Sequence, residues 1–119
     1  MRPNRSAFSL LAVAFMTACG VASEAEKIPE IARGLPATYA EGEKIFDARL
    51  KARFPVGTSE TDIVEELKRQ GFSISEGPRG RFATFIEKRL VVSNVWNVGW
   101  EADNGMLSMV WGIYGGRGP

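Results

Sequence analysis

The stretch Trp96-Asn97-Val98-Gly99-Trp100-Glu101-Ala102-Asp103-Asn104-Gly105-Met106-Leu107-Ser108-Met109-Val110-Trp111-Gly112-Ile113 carries the strongest structural signal in the chain. Asn104-Gly105 is a preferred centre for a type I′ turn, because both central residues need positive φ and these two tolerate it. A two-residue loop then pairs Ala102 with Leu107, Trp100 with Met109, Val98 with Trp111 and Trp96 with Ile113, all of them apolar. The other face pairs Glu101 with Ser108, Gly99 with Val110, Asn97 with Gly112 and Val95 with Tyr114, a mixed and lightly built surface. A slip by one residue would destroy this sorting, so turn and pattern support one register. In that register the three tryptophans share one face, which reads as core. Met106, Met109 and the run Leu90-Val91-Val92 read as packing too.

Upstream, residues 82–88 read as a first strand, which makes the sheet three-stranded. Residues 73–81 are polar and glycine-rich, with Gly77-Pro78 as a turn, and read as a loop. Before them, Ser59 is placed to cap a helix. Glu60 and Asp62 lie in its first turn and Lys68 and Arg69 in its last, in the order the helix dipole favours. Gly71 stands where a left-handed residue would close it, Ile63, Val64 and Leu67 form its apolar stripe, and Phe72 can fold back over the stop. An earlier helix begins at the capping box Thr38…Glu41, carries Ile45, Phe46, Leu50 and Phe54 inward, and ends before Pro55, with Gly42 weakening its first turn. The order gives an α+β two-layer sandwich, two N-terminal helices packed on a three-stranded antiparallel sheet (ααβββ), over residues 38–119.

Composition narrows the chemistry. The chain has 119 residues, 45% apolar and 24% charged, with 15 Lys+Arg against 14 Asp+Glu. This is the balance of one small domain, and it lacks the basic surplus that binding nucleic-acid phosphates requires. With one cysteine and no histidine, an intrachain disulfide, the usual zinc sites and a Ser-His-Asp triad are all excluded. No metal or cofactor is expected. The neighbouring carboxylates Glu65 and Glu66 point about 100° apart on a helix and read as a solvated face, not a catalytic pair.

The single cysteine ends a segment of export character. Arg2 and Arg5 precede twelve largely apolar residues, Ala7 to Ala18, too short to span a membrane as a helix but suited to a signal peptide. Met16-Thr17-Ala18-Cys19-Gly20 has the form of a lipobox, which makes residues 1–18 a lipoprotein signal peptide and Cys19 the lipidation site; cleavage beyond Cys19 by ordinary signal peptidase is the alternative. Without Arg2 and Arg5 the mature chain holds 13 basic residues against 14 acidic. Gly20 in place of a retaining Asp favours outer-membrane delivery. Residues 19–37 read as a flexible tether. The expected setting is a bacterial cell envelope, lipid-anchored and facing the periplasm.

Lipobox, tether, paired helices and an Asn-Gly hairpin resemble the SmpA/OmlA (BamE-like) outer-membrane lipoproteins over most of residues 53–114. The local points are Gly57, Ser59, Ile63, Leu67 and the hairpin from Trp100 to Leu107. Lys68 departs from the family's Gly after the residue matching Leu67. The resemblance implies a non-catalytic accessory or scaffold lipoprotein that acts through protein-protein contacts with an envelope partner. The alternative is a secreted or periplasmic inhibitor that blocks an enzyme cleft with residues 73–81. A small sheet with two open edges suits a partner, and Asn97, Gly99, Val110 and Tyr114 form the candidate surface. Arg79, Arg81, Lys88 and Arg89 form a candidate basic patch for anionic headgroups.

Overall fold

Two side-chain caps start the two helices that the spacing predicts. In α1 (Tyr39–Arg53) the Thr38 hydroxyl accepts the Glu41 N–H at 3.4 Å; in α2 (Glu60–Arg69) the Ser59 hydroxyl accepts the Asp62 N–H at 3.4 Å. Each cap satisfies one of the amides that a helix start leaves orphaned. Helix α2 closes at Gly71, whose φ of 102° is left-handed, while the Phe72 N–H donates to the Leu67 carbonyl at 3.0 Å. Phe46, Leu50, Phe54, Ile63, Leu67 and Phe72 are buried as expected. Ile45 differs: it stands 41% exposed, because it points about 100° away from Phe46 around the helix.

The structure is a computed structural model that describes residues 28–78 and 80–118; the expected signal peptide, Cys19 and Arg79 lie outside the described residues. The class is α+β, with the two helices packed on an open antiparallel sheet, but the sheet has four strands, not three. They are β1 (Ser73–Gly77), β2 (Gly80–Glu87), β3 (Ser93–Asp103) and β4 (Met106–Arg117), in spatial order β1-β2-β3-β4. The extra strand, β1, was hidden in the polar stretch expected to be a loop. It is an edge strand that turns Ile74 to the core and leaves Ser73, Ser75 and Glu76 exposed, so no apolar alternation marks it.

Residues 28–37 also depart from expectation. A 3-10 turn at Glu30–Ala32 buries Ile31 and Ala32, and Ile28 and Leu35 pack on the same core. The segment has too few apolar residues for a regular element, yet those it has fill the space beside α1 and the sheet.

The register of the β3–β4 hairpin holds for only two pairs. Asn104 (φ 53°) and Gly105 (φ 77°) form the turn, and Asp103 pairs with Met106 and Ala102 with Leu107. A β-bulge then takes Ser108 out of the ladder, so Glu101 faces Met109, Trp100 faces Val110, Gly99 faces Trp111 and Trp96 faces Tyr114. The Ser108 hydroxyl donates to the Glu101 carbonyl at 3.2 Å and occupies the gap. One extra residue exchanges the two faces of β4 for the rest of its length. Val110, Gly112 and Tyr114 turn inward, while Met109, Trp111 and Ile113 turn outward. Packing accounts for the choice. A Cβ at position 112 would lie 2.6 Å from Leu50 Cδ1 and 2.8 Å from Phe46 Cδ2, so α1 can settle on β4 only where a glycine faces it. Deleting Ser108 leaves every later pair and face unchanged and yields a regular ladder. This deletion is expected to fold with a stability change under about 1 kcal/mol and native tryptophan circular dichroism; loss of cooperative unfolding would refute the bulge.

On the inner face an aromatic row crosses three strands. Phe85, Trp96 and Tyr114 are successive ladder partners, with Trp96 and Tyr114 stacked at 4.9 Å and 7° and Phe85 tilted against Trp96 at 5.8 Å. Tyr39 and Phe72 close its two ends.

The two sheet edges differ. Along β4, the Leu107 N–H donates to Thr58 O at 2.7 Å and its carbonyl accepts from Gly57 N–H at 2.8 Å. Farther along, Gly112 N–H donates to Asp47 Oδ1 at 2.9 Å and Tyr114 N–H to Glu43 Oε1 at 3.0 Å. The linker between the helices and two carboxylates of α1 therefore occupy the edge expected to be open, and among the described residues β1 is left as the short free edge. Burial alone would raise the Asp47 pKa, but the hydrogen bonds from Lys51 and Gly112 outweigh it and hold the carboxyl below its usual value. Glu43→Ala with Asp47→Ala should therefore cost about 1–2 kcal/mol and produce concentration-dependent association in sedimentation velocity. Glu43→Gln with Asp47→Asn keeps the acceptors and should stay monomeric; equal association of both pairs would refute edge capping.

Candidate functional site

Among the described residues, none covers the outer face of the sheet. Phe82, Gly99 and Trp111 form one transverse row of ladder partners on it, and Thr84, Asn97 and Ile113 form the next. The rows belong together because Gly99 lacks a side chain: a Cβ there would collide with the Trp111 indole, which lies across it. Met109 is 52% and Ile113 48% exposed on β4, and Phe82 is 36% exposed two strands away on β2. The Thr84 hydroxyl donates to Asn97 Oδ1 at 2.7 Å, which fixes the amide between the apolar side chains. At the β1–β2 end, a shallow cavity of about 310 Å³ is lined by Pro78, Gly80, Arg81, Phe82, Gly99 and Trp111. The surface offers apolar area, one aromatic plane and one oriented amide, the makings of a protein contact.

The four residues expected to share a face do not. Asn97 and Gly99 belong to the outer face, whereas Val110 is buried and Tyr114 stacks on Trp96 inside. The bulge at Ser108 separates them, and it puts Met109, Trp111 and Ile113 in their place. A register argument from the turn alone could not reach these residues. The signal that could have found them is the pair Gly99 and Trp111, a large ring in need of a vacant partner position.

The expected basic patch divides as well. Arg81 lies at the start of β2 and makes a loose ion pair with Glu76 at 3.9 Å. Lys88 and Arg89 follow the end of the same strand, about 20 Å away, where Arg89 meets Glu87 at 3.4 Å.

Glu66 is more than a solvated surface group. Its carboxylate accepts from Arg69 at 2.6 Å and from the Gln70 amide at 2.7 Å, and Arg53 approaches to 3.6 Å. Arg69 continues to Glu30 at 3.0 Å, and Gln70 Oε1 accepts the Ile31 N–H at 2.9 Å. The cluster clamps the 3-10 turn onto α2. The Arg69 guanidinium, then the Gln70 amide, hold the Glu66 carboxyl at about 2 against its usual 4.5. A depressed carboxylate gives stability that is complete above its unfolded pKa and is lost as pH falls through the folded value. Between pH 4.5 and about 2, the protein should lose about 1–2 kcal/mol through this group after solvent screening. Thermal melts of Glu66→Gln should lack that acid component; an unchanged pH profile would contradict the assignment. A carboxyl held this low stays ionised at neutral pH and has no proton to give.

Among the described residues no three or more His, Cys, Asp or Glu side chains gather as metal ligands, and no helix is long and apolar enough to cross a membrane. Comparison with protein-family models, curated proteins and solved structures finds no match.

Proposed function

We propose that the chain is a non-catalytic accessory or scaffold lipoprotein of a bacterial cell envelope, held by a lipid on Cys19, facing the periplasm, and bound to an envelope protein through the outer face of its sheet. The observation that carries this reading is the apolar patch of exposed Phe82, Met109 and Ile113 around the half-buried Trp111, on a fold whose opposite face and β4 edge are occupied. A fold this small loses stability by exposing apolar area, and a partner that covers it recovers that loss. Further support comes from the lone cysteine at the end of the export-like segment, and from the BamE-like order of two helices followed by antiparallel strands. The fourth strand, β1, departs from the ααβββ arrangement that the resemblance implies, so the family and its particular partner belong to the proposal.

The test is site-specific photocrosslinking in intact cells, with mass measurement of the mature N-terminus. A probe at Ile113 should capture one discrete envelope protein, while a probe at Thr61, exposed on α2, should not. A mature chain beginning with an acylated Cys19 is expected. Capture of nothing from Ile113 or Asn97, or a free N-terminus beyond Cys19, would overturn the scaffold or the anchor respectively.

A further inference from the structure

The β2–β3 connection, residues 88–92, breaks the packing logic of the remaining fold. Leu90 is fully exposed at 101% and Val91 is 70% exposed, although the run Leu90-Val91-Val92 reads in sequence as core. Such a run on a surface stabilises nothing in water. The loop is nevertheless firmly based. Asn94 Nδ2 donates to Glu87 Oε1 at 2.9 Å, and the Tyr39 hydroxyl donates to Asn94 Oδ1 at 2.7 Å. Val92 lies over Gly116, where a Cβ would come within 2.8 Å of its Cγ1. The base therefore presents Leu90 and Val91 outward as a tip.

Charge and chain path identify what the tip meets. Lys88 and Arg89 immediately precede it, and Arg117, the ladder partner of Ser93, stands beside its other foot. Two exposed aliphatic side chains with three cations against one carboxylate, Glu87 beside Arg89, at their feet match the boundary between acyl chains and anionic headgroups. The chain from Cys19 arrives at this same end: Ile28 shares a cleft of about 370 Å³ with Arg89, Asn94 and Tyr114. From Cys19 to Ile28 the chain can reach at most about 30 Å, at 3.3–3.6 Å per residue.

We infer that residues 88–92 dock into an anionic lipid bilayer, with Leu90 and Val91 entering the acyl boundary and Lys88, Arg89 and Arg117 resting on phosphate groups. The inference rests on the proposed anchor at Cys19, and it adds an orientation: the domain stands on the β2–β3 end, with the Asn104-Gly105 turn at the far end of the hairpin. A single anchor would leave the domain free to tumble; a second contact sets which way the outer sheet face looks.

The experiment places an environment-sensitive fluorophore on Leu90→Cys in the mature anchored chain, in which a lipid-capped Cys19 has no free thiol. Asp103→Cys at the opposite end is the control. In vesicles containing phosphatidylglycerol, the probe at 90 should shift to the blue and be quenched by spin-labelled lipid, while the probe at 103 should do neither. Lys88→Gln with Arg89→Gln should weaken the quenching several-fold, as should vesicles of phosphatidylcholine alone. Aqueous emission from position 90 in phosphatidylglycerol vesicles would overturn the docking while leaving the anchor intact. If mass measurement finds no acyl group, the anchor fails separately, and flotation of the unanchored chain decides the loop. Flotation with phosphatidylglycerol vesicles that falls about tenfold in Leu90→Ser with Val91→Ser supports docking; no flotation refutes it.

Discussion

Gly112→Val should unfold the protein at temperatures where the parent is stable. The new side chain would enter the contact that Leu50 and Phe46 already fill, where even its first carbon stands 2.6 Å from Leu50 Cδ1. Rotation offers no escape, because the obstruction begins at Cβ and the strand is hydrogen-bonded on both sides, to β3 and to Asp47. Overpacking a tight core costs about 1–3 kcal/mol for modest insertions, and a β-branched residue against two fixed side chains should reach or exceed about 3 kcal/mol. For a domain this size that lowers the melting temperature by roughly 12–24 °C. The cause can be separated from a general intolerance of substitution in β4. In a double-mutant cycle with Leu50→Ala, the losses should be non-additive, the double variant recovering about 1 kcal/mol or more relative to the sum. Strict additivity would show that α1 does not rest on Gly112.

Trp100→Ala should cost far more than Trp111→Ala, although the two tryptophans share a face in the register expected from the turn. Trp100 is 2% exposed, and its indole N–H donates to Glu60 Oε2 at 3.0 Å. Removal empties a large core volume and breaks a link to the first turn of α2, for about 3–5 kcal/mol. Trp111 lies on the outer face over Gly99, and its loss should cost about 1 kcal/mol and uncover Gly99 and Phe82. Chemical denaturation of both variants gives the comparison. Equal losses would mean that the hairpin continues in the unbroken register and that the outer face is not the one described. Because the Trp111 variant should remain folded, it also tests the partner surface without confounding it with instability.

These two results bear on how far the fold could be read from residues alone. Caps, helix stops and the Asn104-Gly105 turn were legible because each is written in a few neighbouring residues whose chemistry acts locally. The two helices, their buried stripes and the antiparallel sheet followed. What escaped was decided by contacts between elements. Ser108 has no composition that announces a bulge; the bulge exists because Gly112 must lie under α1 and Trp111 must find Gly99. Strand β1 offers a single inward residue, Ile74, so it resembles a loop until β2 is present to pair with it. Asp47 and Glu43 look like ordinary surface acids until β4 brings its free amides to them. The candidate surface was half legible for the same reason: Asn97 and Gly99 precede the bulge and keep their face, while the β4 residues beyond it exchange theirs.

The clamp formed by Glu66, Arg69, Gln70 and Glu30 has a mechanical meaning. Force applied to the chain ahead of Ile28 would reach the body of the fold through the Glu30–Arg69 pair, the Ile31–Gln70 bond and the Arg49 bonds to the Ile31 and Arg33 carbonyls, loaded before any strand of the sheet. Those are the contacts set to yield first. Their release, with Ile31 and Ala32 drawn out of the core, would free residues 28–37, at most about 35 Å of extended chain, while α1, α2 and the sheet stayed closed. The N-terminal segment would then act as a fuse that gives length under load and spares the helices and the sheet.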